Sequence, residues 1–135
     1  MRKLLWLLVV VGCAPVYEPP VLVWDVGDRA AVTTCTLNNQ AIVFLHPNVA
    51  GTWKQEFILE HEKDHSVDAT YFKGGCNAFL RKYADNKSFR IKTEYKAYCK
   101  EGRLALKRGV PYQAVWDRIV TALAKDTTLV HDTCL

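Results

Sequence analysis

His61-Glu62-Lys63-Asp64-His65 sets two imidazoles four residues apart, with a carboxylate directly after the first. On an α-helix, residues at that spacing stack on one face about 6 Å apart. His61 and His65 can therefore share one divalent ion, with Glu62 beside it. Such an ion, if it is to keep an open position for water, needs a third protein ligand. The sequence offers Glu94, Asp64, Asp68, His46 and His131. Asp64 adjoins His65 and points about 100° away around the helix, whereas Asp68, one turn on, is better placed to accept from an imidazole N–H. Glu94 is the expected ligand, because it falls on a second helical stretch and on its inner side. The competing account is plainer: two part-buried histidines packing on Phe57 and Trp53, with Glu94 a surface carboxylate.

The elements that must carry these groups follow from the periodicity. Trp53, Phe57, Ile58, His61, His65 and Ala69 recur at helical spacing between Gly51-Thr52 and Gly74-Gly75, which predicts an active-site helix near 52–73 with Thr52 as its N-cap. Cys76 to Tyr83 reads as a short helix broken at Asp85-Asn86. Ser88 to about Leu106 reads as another, with Phe89, Ile91, Tyr95 and Tyr98 on one side and Glu94 next to them. Pro111 suits the first turn of a last helix, Tyr112 to Ala124. Upstream, Ala30 to Thr36 and Ala41 to Leu45 flank the turn residues Leu37-Asn38-Asn39-Gln40, which predicts a hairpin, with Val21 to Trp24 as an additional strand. The expected class is α+β: a small N-terminal sheet followed by three to four helices.

The 135 residues suit one domain. The formal charge of +4 falls to +2 if Arg2 and Lys3 leave with a leader. The bases are interspersed with acids, so the charge describes a solvated surface and no nucleic-acid partner is expected. Residues 1–13 are expected to be that leader. Arg2-Lys3 precedes an apolar run from Leu4 to Val11 that falls well short of the roughly 20 residues needed to span a bilayer. The ending Val10-Val11-Gly12-Cys13 resembles a bacterial lipobox, which implies a membrane anchor through lipid on Cys13. Residues 14–20, holding Pro15, Pro19 and Pro20, read as a semi-rigid tether, and the folded domain is expected over 21–135. The remaining cysteines, Cys35, Cys76, Cys99 and Cys134, are even in number and lack CxxC spacing, so two disulfides in an oxidising compartment are expected. Cys76–Cys99 would clamp the two ligand-bearing helices, leaving Cys35–Cys134.

His61-Glu62-Lys63-Asp64-His65, followed by Glu94-Tyr95-Lys96-Ala97-Tyr98, resembles the gluzincin metallopeptidases and, at this size, their minimal members, the minigluzincins. Charged Lys63 and Asp64 stand where small or apolar residues are common, and the later part of the chain is short. The resemblance implies a zincin-like domain with Zn2+ on His61, His65 and Glu94. It also implies that Glu62 is the general base of a zinc-dependent endopeptidase acting on a peptide or protein substrate. Tyr98, Tyr95, His131 and His46 are candidate donors to an oxyanion, with Tyr98 taken as the catalytic one. The strand Ala41 to Leu45, if it lies at the sheet edge, would bind an extended peptide. The alternative function is a non-catalytic, zinc-stabilised envelope lipoprotein serving as a binding module.

Overall fold

The structure, a computed structural model, describes residues 17–110. The leader, Cys13, the expected last helix, His131 and Cys134 lie outside them. Strands β1 (Val21–Val23), β2 (Ala31–Cys35) and β3 (Ala41–Leu45) are followed by helices α1 (Gln55–Tyr71), α2 (Gly75–Asp85) and α3 (Lys87–Lys107). The described chain is thus α+β, with one three-stranded sheet and three helices.

β2 and β3 form the expected antiparallel hairpin, in register from Ala31 opposite Leu45 to Cys35 opposite Ala41. Its turn is fixed by Asn39 at φ 61, a left-handed conformation that asparagine tolerates better than most residues. The Asn39 side chain reaches on into the loop after α1, donating to Gly74 O at 3.1 Å and accepting from Asn77 N at 2.7 Å. Gly75, with φ 80, lies so close to this amide that a Cβ would collide with it. β1 also joins the sheet, but parallel to β3, giving the order β1-β3-β2. β3 is consequently the central strand, so the edge position on which peptide binding by Ala41 to Leu45 depended is not met. β1 and β2 supply the edges among the described residues.

α1 starts later than Thr52. Thr52 Oγ1 donates to Val49 O at 2.7 Å within a turn, and Gln55 Oε1 reaches back to accept from Gly51 N–H at 2.7 Å. α3 begins after Asn86, whose side chain accepts from Phe89 N–H at 2.9 Å, an N-cap that satisfies one orphan donor of the first turn. The inward residues of the sheet pack on α1 and α2 in two clusters, Ala31, Val43, Leu45 with Ile58, and Ala41 with Ala69, Cys76 and Phe79. Burying a side chain such as Phe79, 2% exposed, contributes on the order of 1.5–3 kcal/mol.

The disulfide joins Cys35 to Cys76, with Cα atoms 5.8 Å apart. This overturns Cys76–Cys99 and, since Cys35 is taken, Cys35–Cys134. Alternation along β2 turns Cys35 inward, against the cluster where α2 places Cys76 in its first turn. Cys99 instead packs beside Phe57 and Ala105, and it too is disulfide-bonded. Residues 17–20, expected to belong to a tether, are attached to the domain: Tyr17 Oη donates to Ala41 O at 2.6 Å, its ring packs on the Phe79 cluster, and Pro20 O accepts from Val43 N–H.

Candidate metal centre

α1 and α3 lie side by side, and their facing residues bring together the groups that the spacing singled out. His61 Nε2 stands 3.0 Å from His65 Nε2 and 3.1 Å from Glu94 Oε2, and His65 Nε2 stands 3.0 Å from Glu94 Oε1. The ligand atoms of His61, His65 and Glu94 all lie within 4.8 Å of one another, a group able to hold a metal ion. Ligands at about 2.0–2.1 Å around a tetrahedral ion stand roughly 3.3 Å apart, so the present spacing is close to what an ion requires.

The direction of the rings supports the same fit. His61 Nδ1 and His65 Nδ1 are buried and have no hydrogen-bond partner. Both Nε2 atoms point at each other and at Glu94, so the rings are aimed at a common point rather than at separate partners. Electrostatics tie the three groups. Burial lowers the His65 pKa, but the hydrogen bond and charge of Glu94 outweigh it, and the net shift is upward. Burial raises the Glu94 pKa, yet hydrogen bonds from His61 and His65 hold its carboxyl well below the ordinary range.

Glu62 follows His61 around α1 and turns toward β2, where Thr33 Oγ1 donates to its Oε2 at 2.5 Å. It lines both cavities that open on the centre. One, about 260 Å3, is bounded by Arg29, Ala31, Ile58, His61, Glu94, Tyr98 and Glu101 among others. The other, about 80 Å3, is bounded by Arg29, Thr33, His65, Phe79, Tyr83 and Glu94 among others. β2 pairs with β3 on one side, and its other edge runs along this cleft.

The remaining expected residues separate clearly. Tyr98 sets its ring against His61 at 4.3 Å between centroids, at the wall of the larger cavity. Tyr95 packs on the Phe57 cluster. His46 serves the turn after β3, with Nδ1 accepting from Asn48 N–H at 3.0 Å and Nε2 3.5 Å from Asp25. Asp68 pairs with Lys96 at 2.5 Å instead of an imidazole. Asp64, 2% exposed, meets Lys100 at 2.6 Å and Lys96 at 3.7 Å. The charged pair inside the motif thus has a structural use: Asp64 ties α1 to α3 through Lys96 and Lys100, while Lys63 reaches Glu18.

Three residues of the site escaped the sequence. Tyr83, on α2, donates its hydroxyl to Glu94 Oε1 at 2.5 Å, and burial followed by the Glu94 charge pushes its pKa strongly up. Glu101, 1% exposed, sets Oε1 3.8 Å from His61 Nδ1. It stands seven residues after Glu94, two turns along the same helical face, and that interval was the available signal. Thr33 carried no signal, since β-branched residues are ordinary in strands.

An α+β domain with a candidate His-His-Glu metal centre between two helices is therefore what fold and site define. Compared with known proteins, the chain matches no family model, no curated protein and no solved structure.

Proposed function

We propose that the chain is a zincin-like, gluzincin-type endopeptidase with Zn2+ held by His61, His65 and Glu94. The observation that carries this reading is the convergence of those three ligands with Glu62 lining the same cleft. Two imidazoles and one carboxylate form a donor set that suits zinc, with one position left for water or substrate. When bound, zinc would polarise a peptide carbonyl and make water acidic enough to attack near neutral pH. Glu62 takes the proton from the attacking water and passes it to the departing amine. Thr33 holds the Glu62 carboxylate toward that water. Tyr83, with its hydroxyl already in the site, and Tyr98, on the cavity wall, are the donors available to a developing oxyanion. Glu101 accepts from His61 Nδ1 once Nε2 is occupied, fixing the ring's tautomer. An extended substrate peptide adds to the free edge of β2, the strand beside the cleft, in place of β3.

The same reading makes the protein exported and anchored through lipid on Cys13. The Cys35–Cys76 disulfide supports it, because such bonds persist in oxidising compartments. A second reading keeps the metal and drops the chemistry: a zinc-stabilised lipoprotein that binds a partner. It is favoured by Tyr83, whose hydroxyl donates to Glu94 and stands in the smaller cavity beside the centre, where a substrate carbonyl would have to enter. Glu62→Gln separates the two. In the peptidase, one equivalent of zinc stays bound and cleavage of an unfolded protein substrate falls by about 10²–10⁴. Unchanged cleavage would remove Glu62 as the base; zinc binding with no cleavage by either form would favour the lipoprotein.

A further inference from the structure

Among the described residues the sheet is apolar on both faces, and helices pack on one of them, over β2 and β3. Ala31, Thr33, Cys35, Ala41, Val43 and Leu45 turn toward α1 and α2. Alternation sends Val32, Thr34, Ile42 and Phe44 to the opposite face. The parallel register pairs Leu22 with Phe44, so Leu22 joins that face, and Trp24 follows by alternation. Five of these six outward side chains are apolar, where a sheet with one solvated face normally alternates to polar residues. Leu22 is 50% exposed and Trp24 66%, while Val32, Ile42 and Phe44 between and beside them are half-buried. Among the described residues no helix packs on this face, since the helices that meet the sheet do so from the other side.

With the proposed anchor on Cys13, the chain's N-terminal path would hold the domain close to a bilayer. Tyr17 is pinned to Ala41 O and to the Phe79 cluster, so the segment from Tyr17 to Trp24 lies along β3 as part of the domain. Only residues 14–16 separate Tyr17 from Cys13, and four residue steps span at most about 14 Å. A domain leashed that closely to a lipidated cysteine rests on the bilayer rather than standing off it. An exposed tryptophan among aliphatic side chains is suited to the headgroup boundary.

We infer that the outward sheet face, Leu22, Trp24, Val32, Ile42 and Phe44, is a membrane-contact surface that seats the domain on the lipid interface, with the metal centre on the opposite side of the sheet. The inference rests on the anchor through Cys13, and two independent measurements keep the claims apart. Mass spectrometry of the purified full chain reports whether Cys13 carries lipid. Quenching of tryptophan fluorescence by phosphatidylcholine vesicles brominated near the glycerol end of the acyl chains reports contact, and Trp24→Phe identifies the part due to Trp24. The expected result is lipid on Cys13 and strong quenching that falls by about half or more in Trp24→Phe. Lipid on Cys13 with quenching unchanged by Trp24→Phe overturns the surface and leaves the anchor standing. Quenching through Trp24 without lipid on Cys13 upholds the surface and sinks the anchor. A concentration-dependent dimer in vesicle-free buffer that Leu22→Glu dissociates, with no Trp24 quenching, assigns the face to a second copy and overturns the proposal.

Discussion

Toward the sheet and α2, helix α1 buries Ile58 and Ala69 among Val43, Leu45, Ala41 and Phe79, and the Cys35–Cys76 bond closes that flank. Toward α3 it presents His61, Asp64 and His65 to Glu94, Glu101, Lys96 and Lys100, with Phe57 and Cys99 as an apolar patch near one end. The first flank is complete as it stands, since hydrocarbon burial needs no partner outside the chain. The second gathers buried charge, packing both imidazoles and the Glu94 carboxylate against one another, which costs free energy unless the charges are well paired. Placing the ligands on the polar flank ties metal occupancy to how firmly α1 and α3 hold together.

Breaking the apolar flank should give the largest loss of stability. Cys35 and Cys76 close a loop with a sequence separation of 41, so replacing both by alanine should lower the unfolding free energy by about 2–4 kcal/mol. Urea unfolding with and without zinc checks the comparison. Nearly equal losses in the two conditions are expected if the flanks act separately. A loss seen only without zinc would show that the disulfide works through the metal centre.

The polar flank is probed next by Glu101→Gln, which keeps the side chain's shape and removes its charge. Loss of a carboxylate behind a ligating histidine typically weakens metal binding by 10–100-fold. Competition against a zinc chelator should register that change while the metal-free protein keeps its fold. Unchanged affinity would mean that His61 Nδ1 is served by another acceptor.

The same contrast explains what could be read from the chain. The convergence of His61, His65 and Glu94 was legible because each falls at a helical interval that turns it to the inner side of its helix. The hairpin was legible because Leu37-Asn38-Asn39-Gln40 separates two β-rich runs. The pairing of Cys35 with Cys76 was not, since it depends on which way β2 faces after the sheet has formed. The sheet order was hidden for a related reason: β1 pairs parallel to β3 across an intervening strand, and nothing local encodes that. Thr33 and Tyr83 reach the site from elements that carry no motif. The extent of α1 was misjudged by a few residues because Thr52 bonds backward to Val49 instead of capping forward.

The smallest effect is a dependence on pH whose sign differs between the metal-free and metal-loaded protein. In the metal-free site, protonated His65 faces ionised Glu94, which raises the His65 pKa above its usual value near 6.5 and depresses that of Glu94. The raised histidine contributes stability that is fully present below about 6.5 and is lost as pH rises through its folded value. The depressed carboxyl contributes stability above the usual carboxylate range and loses it only well into acid. The metal-free protein should therefore be steadiest in mildly acidic solution and weaken as the pH passes neutrality. On the proposed reading zinc would take the place of the His65 proton and release it, and apparent affinity should rise by up to about tenfold per pH unit while that proton is displaced. Thermal unfolding between pH 5 and 8.5, with excess zinc and with a chelator, should give curves that diverge as pH increases. Parallel curves would mean that His65 holds no proton for zinc to displace.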